Sequence, residues 1–257
     1  MTFEVEINDF SMQDVSELRQ REVETYFNVI ANGGSDRLLR ARSFHNLGEW
    51  EHDDYRQLSE TLLDADATSS FSFLGREAAR YSETIEALDG AGHEIVLHGY
   101  RHVACADVEY DLAHENLSRG LSAIEDATGV TPRGFIAPRQ TVNAATLQVV
   151  EELGIEWVLG RTDARVPSGL EFLEPEHPYD LIILNEGANP RATFDRISEQ
   201  TEDGAALLFH PNMLEYYDAL EEFEAWVADT SPVSIGTLFE EGGVGLINDA
   251  MRPLRIE

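Results

Sequence analysis

Two histidines four residues apart, His98 and His102, follow the apolar run Ile95-Val96-Leu97, with Gly99 between them. Imidazoles titrate near neutral pH and ligate borderline metals, so such a pair can do acid–base or metal chemistry. If the chain after Leu97 curls into a helical turn, positions i and i+4 share one face and both rings reach a single ion. A catalytic ion then needs a third protein ligand, and amide or ester hydrolysis needs a proton donor as well. On this stretch alone, a surface turn with two satisfied histidines is the competing reading.

The elements that must position these residues can be read from periodicity. Phe3, Val5 and Ile7 alternate with Glu4, Glu6 and Asn8, a strand with one apolar face that ends at Asn8-Asp9-Phe10. Residues 11–51 read as an insertion, with a helical pattern from Val15 to Ile30 stopped at Asn32-Gly33-Gly34. Helix and strand then alternate: a helix around Tyr55–Leu63, a strand at Ser70–Leu74, a helix over 76–91 and a strand over 94–98. A long amphipathic helix over 107–128 stops at Gly129, a strand over 134–137 breaks at Pro138, and a helix over 143–153 stops at Gly154. Trp157–Leu159, Leu181–Leu184 and Ala205–Phe209 read as further strands, with a last helix over 213–228 before Val233–Ile235. Repeated strand–helix units predict a parallel α/β sheet. That is either an open doubly wound sheet or a barrel; about seven strands and no Gly-rich phosphate loop after the first favour the barrel, in one domain over 1–257.

In such folds the C-terminal strand ends gather at one rim. The polar residues just past those ends are Asp9, His98, His102, Arg139, Asp163, Asn185 and His210. Asp9, His98 and His102 make an O/N/N set with room for water, the arrangement of a catalytic zinc. An ion held there lowers the pKa of water and polarises a carbonyl. His210, arriving from a distant strand, can protonate a leaving amine.

These residues carry a resemblance to polysaccharide deacetylases of the NodB-homology, carbohydrate esterase family 4 type. Ala91-Gly92-His93-Glu94-Ile95 leading to His98-Gly99-Tyr100-Arg101-His102 is similar to the family's metal-binding motif. Ala67-Thr68 with Phe71–Gly75 resembles its second strand, Gly134–Pro138 its R-x-P strand, and Leu208-Phe209-His210-Pro211 its final L-x-H. The resemblance implies a distorted (β/α)7 barrel that removes acetyl from an N-acetylated sugar. It also implies one divalent metal, zinc or a similar ion, held by Asp9, His98 and His102.

Two positions depart from the family pattern. Its first motif carries a base Asp beside, or two residues before, the metal Asp. Matched as F-D-D, Ile7-Asn8-Asp9 places Asn8, which cannot take a proton, at the base position. Matched to a related variant of the motif, D-V-E-D-W, the base falls on Glu6, three residues before Asp9 and one pleat from Asn8 on the same strand face. Ile136 stands where the family's arginine steadies the base; Arg139 reaches back or binds substrate instead, and Asp163 orients Arg139 or His210. The leading expectation is an N-deacetylase or related amide hydrolase, with Glu6 as base and His210 as acid. The alternatives are a catalytically impaired barrel kept for carbohydrate binding or assembly, and an amidohydrolase acting on a non-sugar amide.

The 257-residue chain holds 49 acidic and 18 basic residues for a net charge of −31, and every basic residue is arginine. So anionic a surface excludes nucleic acid and anionic membranes as partners. The single Cys105 excludes an internal disulfide and a cysteine zinc module. With no apolar run near the ~20 residues of a membrane span and no basic-then-apolar start, the expectation is a cytoplasmic protein. Dispersed carboxylates without lysine fit a protein adapted to very high salt, where the screening length falls to about 3 Å at 1 M. Dialysis from molar KCl into dilute buffer should therefore lower the thermal midpoint, read by circular dichroism. An unchanged midpoint would remove the case for salt adaptation.

Overall fold

The computed structural model describes residues 2–5, 52–178, 189–200 and 206–240. The segment read as an insertion at 11–51 and the predicted strand Leu181–Leu184 lie outside them. Eight strands form one all-parallel sheet: β1 (Thr2–Val5), β2 (Ser70–Phe73), β3 (Glu94–Leu97), β4 (Gly134–Thr141), β5 (Trp157–Arg161), β6 (Glu171–Leu173), β7 (Pro175–Pro178) and β8 (Ala206–Phe209). Their order is β6-β5-β4-β3-β2-β1-β8-β7. The two end strands are consecutive in the chain, with Glu174 alone between them. The edges of the sheet are therefore joined covalently, and β6 with β7 acts as one bent stave. Counted so, the sheet has the seven staves of the predicted distorted (β/α)7 barrel.

Among the described residues the helices are α1 (His52–Asp64), α2 (Ser82–Gly90), α3 (Tyr110–Thr128), α4 (Ala144–Glu152), α5 (Pro190–Gln200), α6 (Pro211–Tyr216), α7 (Leu220–Thr230) and α8 (Ile235–Glu240). Strand alternation sorts the core into two clusters. Phe71, Phe73, Ile95, Leu97, Phe135, Val158, Leu207 and Phe209 point outward and pack with Leu58, Ile85, Leu117, Leu147 and Phe223 of the helices. Val96, Ile136, Leu159, Leu173 and Ala206 form the inner cluster with Trp157 and Ile235.

The N-terminal end of the strands is sealed. Glu94 accepts hydrogen bonds from Trp157 Nε1 (2.9 Å), Ser70 Oγ (2.6 Å) and the Gly236 amide at the start of α8 (2.9 Å). A carboxylate at a helix N-terminus complements its dipole. Ile235, Leu238 and Phe239 of α8 then close the inner cluster from below. With that floor shut, chemistry is left to the C-terminal rim.

Three local expectations are corrected. The helix predicted over 76–91 is a 3-10 turn at Gly75–Glu77 followed by α2, because the Gly75 and Arg76 amides donate to the Gly99 and Tyr100 carbonyls instead of starting a helix. The strand expected to break at Pro138 runs on to Thr141, with a register shift between Ile136 and Thr141. The last helix divides into α6 and α7, with Asp218 between them in the left-handed region (φ 52°). Strands β6 and β7 had no sequence signal: they are three and four residues long and carry Pro175 and Pro178.

His93 ties α1 to β2. Its Nδ1 accepts from the Ser69 amide (3.3 Å), which leaves the proton on Nε2 to donate to Ser59 Oγ (2.9 Å). Burial lowers its pKa from 6.5 to about 4. Between those values the unfolded chain binds a proton that the native state refuses, so His93 costs stability as pH falls from 6.5 and the loss levels off near 4. The full effect is on the order of 3 kcal/mol. Glutamine can serve both serine contacts without titrating, so His93→Gln should flatten the slope of unfolding free energy against pH across this window. Equal slopes in wild type and variant would place the acid sensitivity elsewhere.

Candidate active site

His98 continues the inner face of β3, two residues beyond Val96, and is fully buried. Its Nδ1 lies 2.7 Å from the Ile136 carbonyl oxygen. A carbonyl can only accept, so Nδ1 carries the proton and the lone pair sits on Nε2, the tautomer a metal-ligating histidine needs. The half-buried His102 ring stands 5.1 Å from that of His98, centroid to centroid, at 52°. The two rings therefore stand side by side, but a helical turn does not bring them together. Residues 98–104 form an irregular loop with Gly99 at φ 87°, and His102 is the centre of a γ-turn in which the Val103 amide donates to the Arg101 carbonyl (2.7 Å).

His210 follows β8 on the inner-face parity of Ala206 and is 5% exposed. Register sets β8 beside β1 and β1 beside β2, so the chain leaves β1 at Val5 on the level of Phe73 and Leu97. Glu6, Asn8 and Asp9 come next in sequence and lie outside the described residues, as does Asn185. Among the described residues no three His, Cys, Asp or Glu side chains gather as a metal set. What these residues hold of the predicted ligand set is the histidine pair, and two imidazoles, one with its tautomer fixed, fit an ion of the zinc type.

The histidine loop is nailed down over its whole length. The His98, Gly75 and Arg76 amides bond across β2 and the loop to the Phe73, Gly99 and Tyr100 carbonyls at 2.8–3.2 Å. Arg119 of α3 stacks on the Tyr100 ring (3.8 Å) and donates to its hydroxyl (2.9 Å). Cys105 ends the loop, bridging to Val142 and accepting the Asn143 amide at its carbonyl. Burial pushes its thiol up to about 12, so no thiolate is offered to an ion or a substrate.

Beyond Ile136, Arg139 and Gln140 adopt left-handed φ values of 60° and 56°. Arg139 is exposed, whereas Gln140 is buried and its Oε1 accepts from Arg161 Nη1 (2.9 Å). Arg161 also donates to the Pro175 carbonyl (2.5 Å), and with Thr141, Asp163 and Glu174 it lines an open cleft of about 530 Å³. Asp163 is exposed on this cleft. Sequence reasoning missed Arg161 and Gln140; an arginine directly after an apolar strand was the available signal. The Ile136 side chain lies in the inner cluster with Val96 and Leu159, so it contributes only its carbonyl to the site.

Close packing of α3 on the loop is set by glycine. A Cβ on Gly120 would lie 2.7 Å from the Gly99 carbonyl carbon and 2.8 Å from the Tyr100 nitrogen. Gly120→Ala should cost about 1–3 kcal/mol in denaturant unfolding. A neutral substitution would show that helix and loop are not in rigid contact.

Comparisons with known proteins find this fold in others. A polysaccharide deacetylase family model matches residues 46–158. A Gibberella zeae relative, peptidoglycan deacetylase-like protein FGM2, is 28% identical over 106 residues, 40% of this chain and 30% of its own length. The chain thus spans less than a third of that curated relative. A solved structure from Mycobacterium smegmatis, described as a candidate polysaccharide deacetylase, superposes with a TM-score of 0.64 over 93% of this chain and 87% of its own, at 19% identity. The family 4 carbohydrate esterase of Streptomyces lividans gives 0.54 over 70% and 84%, at 20% identity. BA3943 of Bacillus anthracis, described as a CE4 family pseudoenzyme, gives 0.56 over 72% and 59%, at 16% identity. The fold is that of these proteins, and residues 46–158 within it are similar to the polysaccharide deacetylase family.

Proposed function

We propose that the protein is a metal-dependent deacetylase acting on the acetamide of an N-acetylated sugar or a related amide. One observation carries the reading: the paired His98 and His102 stand over the inner face of the barrel, with the His98 tautomer fixed by the Ile136 carbonyl. Asp9 completes the ligand set, and β1 leaves the sheet at the matching level of the rim. A zinc-type ion bound there supplies Lewis-acid polarisation of the amide carbonyl and acidifies a water molecule. Glu6 takes the proton from that water. His210 gives a proton to the departing amine. Asn8, Arg139 and Asp163 orient the substrate, whose remaining part extends along the cleft beside Arg161.

A second reading has its own support. Ile136 is buried among aliphatic residues and can do none of the work of an arginine, and Asn8 is no base. BA3943 is described as a pseudoenzyme, and a mutant of it as having restored activity. A catalytically impaired barrel that binds carbohydrate is the alternative.

Metal analysis of protein purified in molar salt should find one zinc-type ion per chain, lost in His98→Ala; the absence of any divalent ion would sink the ligand set. In deacetylation of acetylated chito-oligosaccharides, His210→Ala should lower the rate about 10²-fold or more. Glu6→Gln should do the same; a change within twofold would move the base elsewhere. If Asn8 occupies the base position instead, Asn8→Asp should raise activity above wild type. Metal binding without turnover in either protein would favour the binding reading.

A further inference from the structure

The inward stripe of α3 contains Ala113, Asn116, Leu117, Gly120 and Ile124, all buried. Asn116 is the anomaly among them. Asparagine is a poor residue for a helix interior, and a buried carboxamide is costly unless both its ends are satisfied. Here the backbone of one residue satisfies both: Oδ1 accepts from the Arg101 amide (2.9 Å) and Nδ2 donates to the Arg101 carbonyl (3.1 Å). The main-chain carbonyl of Asn116 accepts the Tyr100 amide as well (3.0 Å).

The held carbonyl is the one that closes the γ-turn centred on His102. Asn116 therefore grips the peptide from which His102 hangs, as a strand partner would, in a loop without regular structure. Space leaves little alternative, since a Cβ on Gly99 would come 2.6 Å from Asn116 Nδ2. His98 needs no such help, because its ring is oriented by Ile136 and its amide by Phe73. The two rings thus take their relative position from two separate devices, one on β4 and one on α3.

We propose that Asn116 is a positioning residue for the metal centre, setting through the Arg101 peptide where the His102 imidazole stands relative to His98. This rests on the metal reading above. It also deepens it, since outer contacts to ligands are worth about 10–100-fold in metal affinity.

The test uses Asn116→Leu, which removes both side-chain bonds, and Asn116→Asp, which keeps the acceptor and loses the donor. Ile124→Val, on the same stripe away from the loop, controls for loss of stability alone. In molar salt, zinc titration should show affinity at least tenfold weaker for Asn116→Leu, intermediate for Asn116→Asp and unchanged for Ile124→Val. The visible band of the cobalt-substituted protein should shift in the Asn116 variants only. In metal-free protein, the imidazole nitrogen resonances of His102 should move while those of His98 stay. Affinity within twofold of wild type, or equal movement of both histidines, overturns the proposal. If wild type binds no zinc or cobalt, the metal reading fails, and the histidine resonances still decide whether Asn116 places His102.

Discussion

At Gly120 a helix backbone lies directly on a loop backbone, and the rim of the barrel depends on that contact. Strand β3 can aim His98, because its alternation and the Ile136 carbonyl fix the ring. It cannot aim His102, four residues on and past the last ladder bond. The intervening chain has a left-handed glycine and no repeating hydrogen bonds of its own. Backbone groups in such a loop still need partners. They find them on the turn after β2 and on α3, and both approach closely only because Gly75, Gly99 and Gly120 lack side chains where they meet. Two elements distant in sequence from the histidines thereby hold the loop that carries His102.

Polarity along the barrel axis has an equally local origin. Glu94 opens β3 and His98 directly follows it, on the same inner face. The carboxylate is consumed at the floor by Trp157, Ser70 and the first turn of α8, whereas the imidazole faces the end that no helix caps among the described residues. A single strand thus carries a structural anchor and a chemical group, separated by Val96 in the dry inner cluster.

Much of this was legible from sequence because the strands are apolar runs and the chemical residues sit just past their ends. By that rule His98 and His210 were expected directly after β3 and β8, and His102 in the loop after β3, which is where they lie in the chain. The rule failed wherever tertiary contacts replaced local ones. The i, i+4 spacing suggested a helical turn, yet the loop amides found carbonyl partners in other elements. Pro138 looked like a strand end, yet β4 absorbed it with a register shift and two left-handed residues, one of which holds Arg161. Asn116 carried no signal in the sequence, since its partner Arg101 is fifteen residues away along the chain. Strands β6 and β7 are too short to show any alternation.

Those two strands bear on how this molecule keeps to itself. A sheet with open edges offers rows of unpaired amides to any neighbouring chain, and proteins protect such edges with brevity, proline or closure. Here the edges are consecutive in the chain, span only three and four residues, and include Pro175 and Pro178, which have no amide hydrogen to give. Electrostatic repulsion between molecules of net charge −31 fades as salt rises. Protection built into the backbone does not. The bent stave therefore guards against strand-to-strand association under the very conditions in which surface charge stops doing so.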